Sequence, residues 1–429
     1  MRPARPNRRY QIALWLDRHI GPVLCTLLFV VRRLTGRRPA PPEAERVEKV
    51  LVLKFWGVGS IVLASPLLAA LRARYPGARI DFVTLGGNDS VLRMVPQVSR
   101  RLTLDLGRGI PRFLAYTVRT IRLVRRERYD LMLDLEFFTS YSAIFSCLSN
   151  ARVTRGFSAK GSARGQLHDV EVPFNAYHHV STNFLTLLEG DPMRAIPLPQ
   201  GPSPVTLPPL RASEAAAASC TRVLETDPAW RAGRPIVVVN PNAGDMALER
   251  RWPAERTAEL LRGLAAGETV NLVLTGSREE RSYVESLVDL AGIGGRAIVA
   301  AGSLDLEGFV ALLERAAVVV TNDSGPLHLA RAAGAAVVAL FGPETPVLYG
   351  PLSSREDQPY RVHYRGLACS PCMNVHENKV LSCWFAQARC MTEIEPRDVL
   401  ASVGELLALQ RGGAVTASRD AAGSLRAGG

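Results

Sequence analysis

The stretch VVVTNDSGPLHLARAAGAAVVALFGP, residues 318–343, decides the reading of the fold. It opens on a run of β-branched residues, turns through Asn-Asp-Ser-Gly, continues with helix-forming residues and closes on a second apolar run, VVALFG. Two apolar strands joined by a helix make a parallel pair, because a parallel connection must cross back over the sheet. Pro326 suits the first turn of that helix, where a missing N–H costs nothing. With Asp323 and Ser324 at its start, the helix leaves free N–H groups aimed outward, a ready site for an anion. Asp323, Ser324, Gly325 and His328 are therefore expected to hold a phosphate and a sugar, the plain alternative being a helix cap and a packed histidine.

The same alternation extends in both directions. VLVLKF (50–55), RIDFVTL (79–85), RLTLD (101–105) and YDLMLDLE (129–136) read as strands, with helical stretches at 111–127 and 139–148. After a Pro-rich segment at 197–209 a second series follows: IVVVN (236–240), NLVLT (271–275), RAIVA (296–300), then the opening quotation. The expectation is an α/β protein of two Rossmann-like domains, 46–205 and 206–411, whose parallel sheets face across a cleft and bind ligands beyond the carboxyl ends of their strands. Residues 412–429, rich in Gly, Ala and Ser, read as a disordered tail.

Two more strand ends carry chemistry. Gly57-Val58-Gly59-Ser60 turns the first strand into a helix and lets the backbone approach a ligand, although it lacks the third glycine of a dinucleotide fingerprint. NPNAGDMALERRWP (240–253) ends a strand at Asn242 and supplies Arg250 and Arg251, a pair of guanidinium groups suited to a diphosphate. Surface arginines are the plain alternative there.

A formal charge of +12 raises the question of nucleic acid, and its distribution answers it. Ten of the 52 basic residues lie in residues 1–46 against three acids, leaving 42 basic and 37 acidic side chains in the rest. The body is close to balanced, and no nucleic-acid partner is expected. The N-terminal residues 1–45 read instead as a basic amphipathic arm and linker. The apolar run from Val23 to Val31 is too short to span a bilayer, and Gly21-Pro22 breaks the segment in two. Two short helices lying on an anionic membrane surface, then a stiff linker at Pro39, Pro41 and Pro42, fit that pattern. A helix pair packed on the protein itself is the alternative.

Seven cysteines, three of them scattered, argue against a secreted disulfide framework. Cys369, Cys372, Cys383 and Cys390 lie close together and have one CxxC half of a structural zinc site, though the second pair is widely spaced; disulfides, redox-labile thiols or simple packing compete with zinc.

Taken in order, LVLKFWGVGSIVLASPLLAALRARYP, NPNAG with RRWP, LTGSREE and TNDSGPLHLARAAG with VALFGP resemble glycosyltransferase family 9, the ADP-heptose:lipopolysaccharide heptosyltransferases, from about residue 49 to 407. The resemblance implies a GT-B fold, with the acceptor on the N-terminal domain and a nucleotide-diphospho-sugar, ADP-heptose in the family, on the C-terminal one. It places Arg250 where the family has a lysine near the donor phosphates, and Glu279 or Glu280 at its ribose-binding acid. Asp323, Ser324, Gly325 and His328 fall on the loop around diphosphate and sugar. Gly57 and Gly59 fall in the first motif, which in the family ends Gly-Asp with the Asp as catalytic base. Here that position is Ser60, and an ordinary hydroxyl is far too weak a base near neutral pH. Glu136, at the end of YDLMLDLE, is the candidate substitute.

The expectation is therefore an inverting glycosyltransferase. It would use no required cofactor, work in the cytoplasm at the inner membrane face, and transfer to a lipopolysaccharide-like or lipid-linked acceptor. A sugar-binding or scaffolding protein that has lost transfer is the alternative. An epimerase on the same two-domain fold matches the motifs less well.

Overall fold

The structure, a computed structural model, describes residues 8–35, 47–107, 109–158, 164–198, 203–244, 248–267, 269–373 and 383–424. The proline linker at 39–42 lies outside them. The chain divides into two compact units, with the boundary between Pro208 and Pro209.

In the first unit, an arm of α1 (Arg8–His19) and α2 (Gly21–Leu34) precedes β1 (Lys49–Leu53), α3 (Val58–Arg74), β2 (Arg79–Leu85), α4 (Asp89–Arg93) and β3 (Arg100–Leu104). Then come α5 (Ile110–Glu127), β4 (Leu131–Asp134), α6 (Ser140–Ser149), β5 (Val153–Ser158), β6 (Val170–Pro173) and α7 (Val180–Glu189). The six strands are parallel in the order β3-β2-β1-β4-β5-β6. Right-handed crossovers in that order put α3 on one face and α5 and α6 on the other. The central strands are buried on both faces, which is why KVLVL and LMLD are continuous apolar runs rather than alternating ones.

The second unit contains α8 (Glu214–Glu225), β7 (Ile236–Asn240), α9 (Ala254–Ala266), β8 (Asn271–Leu274), α10 (Arg281–Ala291), β9 (Ala297–Val299) and α11 (Leu306–Arg315). β10 (Ala316–Asn322), α12 (Gly325–Ala332), β11 (Ala336–Phe341), α13 (Pro346–Tyr349), β12 (Tyr360–Tyr364), α14 (Arg389–Thr392) and α15 (Pro396–Ser424) complete it. Its six parallel strands run β12-β11-β10-β7-β8-β9, with β7 and β10 side by side at the centre. That adjacency brings the two segments singled out in the sequence, 240–253 and 318–328, to one edge of the sheet. Trp252, Met391, Val399 and Leu406 pack with the β7, β8, β10 and β11 side chains into one core, which docks α15 on the sheet.

Of the segment read as a tail, α15 continues through Ser424, and 425–429 lie outside the described residues. Alanines at 414, 417, 421 and 422 favour the helix, and their weight outruns that of the glycines the sequence reading stressed. Among the described residues no helix is long and apolar enough to cross a membrane.

Candidate active site

In the second unit the loops after β7 and β10 are tied together by side-chain amides. Asn322, the last residue of β10, donates to the carbonyls of Pro241 (3.0 Å) and Asn242 (3.2 Å) and accepts from the Trp252 N–H (3.3 Å). Asn240 donates to Thr275 Oγ1 at 3.0 Å and Asn242 to the Thr275 carbonyl at 3.2 Å, which adds the loop after β8. Gly276 is required at that junction, because a Cβ there would stand 2.7 Å from Asn242 Nδ2.

Arg250 sits at the end of a short 3₁₀ turn, Leu248–Arg250. It donates to the Ala243 carbonyl at 3.0 Å and approaches Asp323 Oδ2 at 3.6 Å. Arg251 turns elsewhere, its guanidinium lying 4.1 Å from the centre of the Tyr283 ring. The expectation of a guanidinium pair is thus corrected: stacking on an aromatic face takes Arg251, and Arg250 alone joins the loop. Glu280 and Ser277 bond reciprocally, at 2.8 and 3.3 Å, in the turn that leads into α10, and Glu280 Oε2 lies beside Gly276. Glu279 is exposed, so of the two candidate acids only Glu280 is brought to the loop.

Asp323, Asn242 and His328 are buried. Ser324 is the cap residue of α12 but makes no capping bond through its side chain, so Asp323 is not the cap. Burial raises the Asp323 carboxyl, and the Arg250 charge partly offsets this. Next to it stands a residue the sequence reading passed over. Glu344, just beyond β11, is 2% exposed, and its carboxyl is pushed up to about 8 by burial and by the charge of Asp323. The signal in the sequence was partial: GPETP places a carboxylate directly after a strand, but that this strand lies beside the one ending just before Asp323 is seen only in the β10–β11 pairing. Among the described residues Asn242 Oδ1 and Glu344 Oε2 are buried with no hydrogen-bond partner, and Asp323 Oδ2 has only the distant Arg250. Each buried polar atom left unpaired costs about 1–3 kcal/mol, a cost that a polar ligand entering here removes.

The first unit has a different centre. Gly57, at φ +83°, begins α3, and a Cβ on it would lie 3.3 Å from Ser60 Oγ. A glycine therefore serves both the left-handed backbone and the approach to Ser60. Gly59 is buried and Ser60 half-buried in the first turn of α3. Glu136 is fully buried: Oε1 accepts from the Phe55 and Trp56 N–H groups at 2.7 and 3.1 Å, and Oε2 pairs with Lys54 at 2.9 Å. Glu136 is closed off from solvent and braces the end of β1, a placement that favours a structural part for it over the base suggested by the sequence. Below it, Arg164 and His168 each reach Asp134 Oδ2 at 3.1 Å, and Arg164 also donates to the carbonyls of Thr139 and Phe157 at 2.8 Å.

None of the seven cysteines is in a disulfide; Cys369 is exposed, Cys372 and Cys383 partly covered, and Cys390 buried. Among the described residues no three metal-binding side chains converge into a ready site, while Cys369, Cys372, Cys383 and Cys390 stay within electrostatic reach of one another.

Residues 117–379 match the family described as glycosyltransferase family 9 (heptosyltransferase). The chain belongs to glycosyltransferase family 9. This member is 29% identical over 314 residues to lipopolysaccharide heptosyltransferase 2 of Salmonella typhimurium, spanning 72% of this chain and 86% of that one. Two solved structures share its fold. E. coli ADP-heptose LPS heptosyltransferase II has a TM-score of 0.66 at 23% identity, covering 85% of this chain and 99% of that one. A family 9 glycosyl transferase from Veillonella parvula has a TM-score of 0.66 at 20% identity, covering 84% and 97%. The family 9 protein is a glycosyltransferase with the GT-B fold.

Proposed function

We propose that this glycosyltransferase moves heptose from ADP-heptose to a lipopolysaccharide-type acceptor, with inversion, at the cytoplasmic face of the membrane. The supporting observation is the set of buried, unsatisfied polar atoms on Asn242, Asp323 and Glu344 beside Arg250, at the carboxyl ends of β7, β10 and β11. Arg250 and the uncapped start of α12, through Ser324 and Gly325, neutralise the diphosphate. Glu280 is the ribose ligand, and Asp323 and His328 orient the sugar. The acceptor hydroxyl, held at the turn of Gly57, Gly59 and Ser60, bonds to the anomeric carbon as the bond to the diphosphate oxygen breaks with its electron pair. Its proton passes to water by way of Ser60, which positions the hydroxyl without acting as a strong base. Transfer itself needs no metal here, and turnover by chelator-treated protein checks this: activity lost on metal removal and regained only with added metal would contradict it.

The membrane contact is assigned to the arm. α2 presents Val23, Leu27, Val31 and Leu34 to solvent, and Leu34 is 81% exposed, while its other side is clamped to the first unit. Cys25 is buried against Ala143 and Leu167, and Arg32 pairs with Asp169. An apolar ridge held rigidly beside arginines suits the headgroup boundary of a bilayer.

Calorimetric titration with ADP tests the donor reading. Arg250→Ala is expected to weaken ADP about 10–100-fold, the loss of a charge-assisted contact of about 1.5–3 kcal/mol. Unchanged affinity would remove these loops as the donor site.

A further inference from the structure

The groove between β3 and α5 is used by none of this chemistry. It has a volume of about 620 Å³, and Arg100 and Arg101 of β3 and Arg119, Arg122 and Arg126 of α5 line it over Tyr116. No acidic side chain lines it among the described residues. Arg100 pairs with Glu127 and Arg101 with Asp89, each at 3.0 Å, so those two are partly neutralised from outside the groove. The three on α5 are the surplus. α5 carries five arginines against one acid, a net excess nearly as large as that of all residues after 46 together. A body that is otherwise balanced has concentrated its charge on one helix.

Two further observations say what kind of anion suits it. Beside the arginines, α5 exposes Leu114 (53%) and Val118 (46%), so the charge comes with an apolar ridge. The helix is also joined to the arm through one turn. Asp17 of α1 accepts from the Ser140 and Tyr141 N–H groups at 3.2 and 2.7 Å, capping α6 from outside. The Tyr141 ring lies 5.3 Å from Phe113, and its hydroxyl 2.6 Å from Thr117 Oγ1, both on α5. Arm and α5 therefore flank α6 on the same face of the sheet, each with exposed apolar residues next to arginines.

We propose that the β3–α5 groove is a second contact with an anionic bilayer, its arginines taking phospholipid phosphates while Leu114 and Val118 meet the acyl boundary. The inference rests on the reading that the enzyme works at a membrane surface, and adds a second point of attachment. One contact tethers; two fix the tilt of the acceptor-binding unit over the lipid.

Flotation of the full chain with phosphatidylcholine vesicles, with and without phosphatidylglycerol, tests it. Arg119→Ala, Arg122→Ala and Arg126→Ala combined should weaken partition onto phosphatidylglycerol vesicles about 100-fold, at roughly 1 kcal/mol per basic residue. Partition onto neutral vesicles should not change. Replacing the same three by lysine should restore most of the binding, which a fold defect would not allow. Unchanged partition of the alanine variant, with binding lost when Val23, Leu27 and Val31 are replaced by serine, overturns the inference and leaves the membrane reading standing. Failure of the unaltered protein to bind either vesicle overturns both. Tight binding of inorganic polyphosphate through these arginines, with vesicle partition unaffected by their loss, overturns it in favour of a soluble anion.

Discussion

Ser60, the buried Lys54–Glu136 pair and Glu344 each carry a test at the scale of single residues. Ser60 stands where the resemblance places an aspartate base, and the carboxylate of Glu136 is held by Lys54 and two backbone N–H groups. Ser60→Asp should therefore raise kcat about 100-fold, the lower end of what a positioned base contributes, with a rate that falls below the Asp pKa. Steady-state kinetics from pH 4 to 8, at about unit intervals, checks both. Removing one partner of the buried pair, as in Lys54→Met, should cost about 3–5 kcal/mol of stability in the first unit, read as a shifted urea midpoint, without altering ADP affinity. Glu344 makes the third case. Its folded-state pKa of about 8 lies above the ordinary 4.5, so its contribution to stability is fully present below 4.5 and is lost as pH rises through 8. Glu344→Gln should abolish that loss, melting about 2–4 °C higher than wild type at pH 9 for each kcal/mol relieved, with the difference narrowing by pH 5. The sequence shows that Glu344 follows a strand. It does not show that Asp323 is its neighbour, because that contact depends on β10 pairing with β11.

At the scale of elements, IVVVN was legible to the residue because a central parallel strand is a nearly unbroken apolar run, and RIDFVTL through its β-branched and aromatic residues. β5, β6 and β12 were not. VTRGFS and VEVP are short and interrupted by charged or small residues, and YRVHY is an edge strand with every side chain half-buried. Their signal lies in pairing, which local composition does not carry. The break at Gly21 was visible in the sequence, whereas its reason was not: a Cβ there would stand 2.4 Å from Ser140 Cβ. The same junction yields a prediction for α6. Asp17→Ala should cost about 1 kcal/mol by removing the cap on Ser140 and Tyr141, and should speed hydrogen exchange of the arm and the first turn of α6 while leaving the second unit unaffected.

For the whole molecule, the two sheets and their order of motifs were readable because each strand-end loop falls where a doubly wound fold puts its ligands. Which buried atoms of the second unit lack partners is a property of the fold, not of the sequence. Mass action gives that unit a further signature. ADP at about 100 times its Kd should stabilise it by about 2.7 kcal/mol, and the first unit should gain nothing directly. Mass spectrometry of a heptose-accepting glycolipid, after incubation with the purified protein and ADP-heptose, reads transfer itself. The expected product is an acceptor heavier by one heptose residue, formed slowly by wild type and faster by Ser60→Asp. An acceptor of unchanged mass with both proteins, under conditions where ADP-heptose is shown to be bound, would contradict heptose transfer.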